Sequence, residues 1–182
     1  MPNWCSNNIR VSGPAAAIDE FAEWLDDGKN LFGKILPTPK ELTEVQSPFN
    51  GTKEESDALI AKYGFNNWYD WNIHNWGTKW DVEADVQEND GEIGLMFESA
   101  WSPPQRAIAL LAKKFDKLSF HHAYLEEGMC FVGYDDYEGG NLVKDFYSED
   151  PDSDEWQEIA RDEFGWEPME DDEDDEDEVV AD

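Results

Sequence analysis

From Trp4 to Ser12 apolar and polar positions alternate, with Cys5, Asn7, Ile9 and Val11 on one side and Ser6, Asn8, Arg10 and Ser12 on the other. That period predicts a strand buried on one face and ended by Gly13-Pro14. Ala17, Ile18, Phe21, Trp24 and Leu25 then recur at helical spacing, with Ser12 as cap, Pro14 in the first turn and Asp26-Asp27-Gly28 as the stop. Residues 29–62 lose the period. Pro37 and Pro39 push the stretch from Leu31 toward extended backbone, and Lys53 to Lys62 suits a short helix. Period two returns with Trp80, Val82, Ala84 and Val86 on one side and Asp81, Glu83, Asp85 and Gln87 on the other. Asn89-Asp90-Gly91 turns that strand into a return strand carrying Ile93, Leu95 and Phe97. Ser102-Pro103-Pro104 opens a second helix whose Ala107, Ile108, Leu111 and Phe115 face inward. Two more strands, Leu118 to Tyr124 and Met129 to Asp135, flank Glu126-Glu127-Gly128, and Glu138-Gly139-Gly140 closes the folded region.

The predicted order is strand, helix, insertion, strand, strand, helix, strand, strand. Without the insertion and the last strand this is βαββαβ, an α+β ferredoxin-like arrangement with two helices on one face of an antiparallel sheet. The other face is expected to be open or covered by the insertion. It would carry Asp81, Glu83, Asp85 and Glu98, with Arg10 as a nearby counter-charge. The expected domain is 1–147, with the insertion at about 29–78.

The insertion ends in the densest aromatic stretch of the chain. Four of nine tryptophans fall between Trp68 and Trp80, and Tyr69, Ile73 and Trp76 share one helical stripe that Gly77 terminates. Two readings fit. Either the stripe is a core helix, or Trp68, Trp71 and Trp76 frame a pocket into which Asn66, Asn67, Asp70, His74 and Asn75 point.

Charge narrows the partners. The chain of 182 residues has a formal net charge of −31. Residues 148–182 hold 19 acidic side chains against one basic, and the body remains acidic in its own right. Such a field repels phosphate backbones and anionic membranes and attracts basic protein surfaces. Direct nucleic-acid binding and membrane binding are not expected. The extension 148–182 is expected to hold a short helix at about 153–165, with Trp156, Ile159, Ala160, Phe164 and Trp166 as its apolar set. A disordered tail should follow, since Glu170 to Glu178 is an unbroken acidic run. Extended chain advances at most about 3.6 Å per residue, while duplex DNA carries one charge per about 1.7 Å of axis. The run thus roughly matches the spacing of a single phosphate strand.

Three motifs together resemble one family. Met-Pro-Asn-Trp-Cys-Ser-Asn at the start, Asn-Trp-Tyr-Asp-Trp-Asn-Ile-His-Asn-Trp-Gly-Thr-Lys-Trp at 67–80 and Ala-Trp-Ser-Pro-Pro at 100–104 are similar to the YubB-type family of small phage, plasmid and prophage proteins. The resemblance covers about residues 1–140. It implies a ferredoxin-like domain and a mobile-element origin, and brings no catalytic residues. Ferredoxin here names a chain path, because two isolated cysteines, Cys5 and Cys130, cannot hold an iron–sulfur cluster.

Residues with catalytic or metal-binding chemistry are few and scattered. His121 and His122 are neighbours on a strand and point to opposite faces, so they cannot chelate one metal. A thiolate–imidazole pair of Cys130 with one of these histidines, or a Mg²⁺ or Ca²⁺ site among Asp81, Glu83 and Asp85, is conceivable but marked by no motif. No catalytic residue, metal site or cofactor is expected. Nor does any apolar run approach the 18 residues of a membrane span, so a cytoplasmic location in a bacterial host is expected.

These readings lead to a non-enzymatic interaction protein that binds and inhibits or modulates a host nucleic-acid enzyme or defence complex. Its acidic surface would imitate DNA and occupy a basic groove. The expected contact residues are Asp81, Glu83, Asp85, Glu98, Asp152, Asp154, Glu155 and Trp156, with Asp171, Asp172, Asp174 and Asp175 of the tail. The alternative is a small-molecule-binding or catalytic module with its pocket between the sheet and the tryptophan-rich insertion. Oligomeric state and the identity of the target have no sequence signal.

Overall fold

In the computed structural model, residues 3–167 are described. The elements in chain order are β1 (Trp4–Ser12), α1 (Ala15–Leu25), α2 (Leu31–Ile35), α3 (Lys40–Thr43), α4 (Lys53–Tyr63), α5 (Trp68–Trp76), β2 (Asp85–Asn89), β3 (Glu92–Ala100), α6 (Gln105–Lys114), β4 (Ser119–Glu126), β5 (Phe131–Glu138), β6 (Asn141–Ser148) and α7 (Asp154–Phe164). The six strands form one antiparallel sheet in the order β2-β3-β1-β4-β5-β6. The first four make the ferredoxin-like βαββαβ unit, and β5 and β6 widen it beyond β4.

The alternation read in β1 sets the two faces. Cys5, Asn7, Ile9 and Val11 are buried toward the helices, while Trp4 and Arg10 are exposed on the second face. On the first face α1 and α6 bring Phe21, Leu25, Ile108 and Leu111 against Phe120 and Leu95. The insertion continues this same layer and does not cover the second face. Phe32 of α2 meets Phe97 of β3 at 5.9 Å and Trp76 of α5 at 5.7 Å between ring centroids. Gly77, at φ 95°, caps α5 and lies against the Pro103 carbonyl, where a Cβ would come to 3.0 Å.

Three expectations change. The strand predicted from Trp80 begins only at Asp85. Residues 80–84 instead lie beside the insertion, with Leu31 N donating to Val82 O and Ala84 N to Gly28 O. The folded region does not close at Gly140, because β6 pairs with β5 along its length, with a bulge at Asp136/Tyr137. And α7 is not a free extension. Its buried Trp156 and Ala160 pack on Leu125 and Val132, with Phe146 alongside, so it covers part of the second face. The acidic run Glu170–Glu178, with Asp171, Asp172, Asp174 and Asp175, lies outside the described residues.

Candidate functional site

The aromatic insertion is spent on folding. Trp71 and Trp76 are buried in the main core, and Trp76 Nε1 donates to Leu36 O at 2.9 Å. Asn67 caps α5 by accepting from Asp70 N at 3.0 Å and donates to the Asp70 carboxylate at 2.7 Å. Asn75 Nδ2 donates to Trp71 O of its own helix. The Arg106 guanidinium donates to the His74 carbonyl, and Trp68 packs partly buried at the core's margin. The side chains expected to line a pocket are thus distributed among core, cap and helix surface and do not converge.

Two of the expected contact residues are also structural. Asp81 accepts from Phe32 N at 2.8 Å, Gly33 N at 2.9 Å and Val82 N at 2.9 Å, which satisfies free donors in the first turn of α2. Trp156 is only 2% exposed and donates from Nε1 to Cys130 O at 3.0 Å. Trp156 is sealed from a partner, whereas Asp81, though tied to α2, still lines the groove described below. Cys130 and the histidines also stay apart. Cys130 sits in the turn before Phe131, whereas His121 and His122 pair with Asp136 and Asp135, several residues further along β5.

What the structure does bring together is a groove at one end of the second face. It is lined by Trp4 of β1, Trp80 and Val82 of the loop before β2, and Met96 of β3, and encloses about 610 Å³. Glu83, Asp85 and Glu98 rim it. Trp4 and Trp80 lie 6.1 Å apart and remain 48% and 42% exposed. Trp101, 44% exposed, extends the aromatic surface at a backbone φ of 72°, a conformation that costs a bulky residue roughly 1–3 kcal/mol. Lys79 places its ammonium 3.9 Å from the centre of the Trp80 ring and 6.0 Å from that of Trp101. The protein thus already seats one of its own cations on this aromatic surface. Of the rim, Glu98 accepts from Ser6 Oγ at 2.8 Å, Glu83 lies 3.8 Å from the Lys29 ammonium, and Asp85 is exposed.

The groove draws on three separated segments, so no single stretch announces it. The acidic rim was readable from the sequence. Trp80 reads as the end of the aromatic stretch and as a strand residue, and Trp4 as a strand residue, so nothing in the sequence joins the two rings.

Across the middle of the second face, α7 is held by charge. Arg10 donates to both oxygens of Glu163, at 2.6 and 2.7 Å. His121 Nδ1 lies 2.6 Å from Asp136, and its Nε2 lies 3.4 Å from Glu163. The facing Glu163 carboxylate most strongly raises the His121 pKa, burial opposes it and Asp136 adds to it. Reciprocally, His121 and then Arg10 hold Glu163 down at about 2, against a burial effect that acts the other way.

Under the first face lies a sealed polar row. Asn7 donates to Ser99 Oγ at 2.9 Å, and its Oδ1 lies 3.0 Å from His122 Nε2. Burial pushes His122 down to about 3 and so keeps it neutral. Gln105 donates to the buried Asp135, whose pKa burial raises. This row ties β1, β3 and β4 together beneath α6. Both cysteines are free thiols, Cys5 buried and Cys130 exposed. No group of three His, Cys, Asp or Glu side chains among the described residues is placed to hold a metal. No described helix is long and apolar enough to cross a membrane.

The family described as "Ferredoxin-like domain in Api92-like protein" matches residues 75–178, from the end of α5 through α7 and past it. The chain belongs to this Api92-like family. The protein YubB of Escherichia coli (strain K12) is 31% identical over 85 residues, 44% of this chain. That match spans 58% of the relative's length. The crystal structure of Api92 from Yersinia pseudotuberculosis superposes with a TM-score of 0.56, covering 81% of this chain and 98% of that one at 12% identity. At that identity the likeness speaks for the fold alone.

Proposed function

We propose that this Api92-like protein is a non-enzymatic interaction module that takes a basic segment of another protein in the Trp4–Trp80 groove. One observation carries the reading: a cation-compatible aromatic surface, already bearing Lys79, stands beside carboxylates with no basic residue in its lining. Tryptophan is among the residues most enriched where interface energy concentrates, and Trp4 and Trp80 are left partly exposed. Arginine and lysine gain both from the ring faces and from the acidic rim. The overall charge of −31 supports the choice of partner, since it steers basic surfaces in and keeps polyanions out. A nucleic-acid-binding face of a host protein is a basic surface of that kind, and occupying it would inhibit that protein.

The test is a titration of the full chain with an arginine- and lysine-rich peptide and with a glutamate-rich peptide of equal length, at low and high salt. The basic peptide should bind, weaken steeply as salt rises, and lose roughly tenfold or more in affinity with Trp80→Ala. If Trp4→Ala and Trp80→Ala bind as the parent does, the groove is not the site.

A further inference from the structure

We infer that the opposite margin of the sheet is a second docking surface, for an extended basic peptide that adds as a seventh strand along β6. β6 is eight residues long and stands last in the sheet, with no strand beyond it among the described residues. Proteins usually blunt such an edge with proline, a short strand, charged residues or a bulge. β6 has the bulge at Val143 and the charges of Lys144 and Asp145, but no proline, and it leaves Leu142 and Val143 exposed, at 51% and 54%. Its free backbone donors and acceptors are a template for another strand.

The surroundings say which strand. On the second face a cleft of about 370 Å³ runs between β6 and α7, floored by Tyr134 and Phe146, whose rings stack 6.0 Å apart at 20°. Its wall is the acidic side of α7, with Glu155, Glu158 and Asp162 spaced along one stripe. Lys144 already lies over the Tyr134 ring at 4.8 Å, so the floor accepts an ammonium. A strand added beside β6 presents every second side chain to this face, about 7 Å apart. Lysine or arginine at those positions meets the α7 wall, while the alternate positions run along Leu142.

The same charge argues against other occupants. A second copy pairing β6 to β6 would bring two acidic α7 walls toward one another, and a nucleic-acid backbone meets the same repulsion. The site is separate from the Trp4–Trp80 groove, which shares no lining residue with it.

The experiment uses the full chain and a synthetic eight-residue peptide alternating lysine with valine and threonine. Its control is the same peptide N-methylated at every second backbone nitrogen. Amide hydrogen exchange read by residue should slow in Asn141–Ser148 with the first peptide. N-methylation should abolish binding, because it removes the ladder and keeps the charge. Glu155→Gln, Glu158→Gln and Asp162→Asn together should raise roughly tenfold the peptide concentration that protects Asn141–Ser148, while Trp80→Ala, which disables only the groove, should leave that protection unchanged. The proposal is overturned if the peptide does not bind, or if it slows exchange around Trp4 and Trp80 and not in Asn141–Ser148. It is equally overturned if the N-methylated peptide binds as well as the parent, or if the triple variant binds unchanged.

Discussion

Arg10 and Glu163, 153 positions apart in the chain, meet through two hydrogen bonds of 2.6 and 2.7 Å across the sheet's second face. Planar two-point pairing of this kind is stronger and more directional than a single contact. Here it fixes the far end of α7, while Trp156 fixes the near end. Glu163→Gln should loosen the helix at a cost of about 1 kcal/mol, discounted because Arg10 is half exposed. Urea unfolding followed by tryptophan fluorescence at pH 6 would read it, and an unchanged midpoint would show that the pair adds nothing.

The same pair, with His121, makes α7 docking depend on pH in two directions. Glu163 is depressed from 4.5 to about 2, so its contribution is present above pH 4.5 and fades as pH falls toward 2. The His121 pKa is raised from 6.5, so its contribution is whole below pH 6.5 and is lost as pH rises through the raised value. The groups that face His121 are Asp136 of β5, Glu163 of α7 and Arg10 of β1, with the Tyr134 ring on its flank. The stability difference between the parent and Glu163→Gln should therefore be widest between about pH 4.5 and 6.5. A difference that is flat from pH 4 to pH 9 would remove His121 from the latch.

Two tryptophans should separate stability from binding. Trp156→Ala empties a buried site beneath α7 and should cost about 3–5 kcal/mol. Trp4→Ala removes a half-exposed ring and should change the unfolding midpoint little, yet weaken the basic peptide in the groove. Thermal unfolding and peptide titration on both variants check this. The reverse pattern would place the interaction surface on α7.

Asp81→Ala should cost about 1–2 kcal/mol, because it strips the acceptor from the first turn of α2. Its effect on basic-peptide affinity should be small beside that of Glu98→Gln. If Asp81→Ala weakens binding and leaves stability intact, its carboxylate faces a partner and not the helix.

Asp81 also shows where sequence reading runs out. Trp80 to Val86 alternates as a strand does, so period alone placed Asp81 on a solvent face. What decides its role is α2, nearly fifty residues earlier, whose amides need an acceptor. Where one partner of a contact lies within a single element, the reading held: the faces of β1, the Asp90-Gly91 turn and the apolar stripes of α1 and α6. β6 escaped because an edge strand is wetted on both sides and carries no period to find. For α7 the helix was legible from Trp156, Ile159 and Ala160, but its seat on Leu125 and Val132 was not, since β4 and β5 supply that surface. The candidate groove was half legible in the same way, its carboxylates visible as charge and its rings united only by folding.

The place of β1 at the middle of the sheet has a consequence for how the chain is made. β1 is synthesised first, yet Trp4 pairs with Ala100 and Ser6 with Leu125. At about 5–20 residues per second, roughly 6–25 s pass on the ribosome before the second of these neighbours exists. During that interval Ile9 and Val11 have at most one flank covered, and the nascent chain is most open to wrong partners. A substitution that makes β1 more apolar would thus lower the yield of newly made protein before it altered the stability of finished molecules.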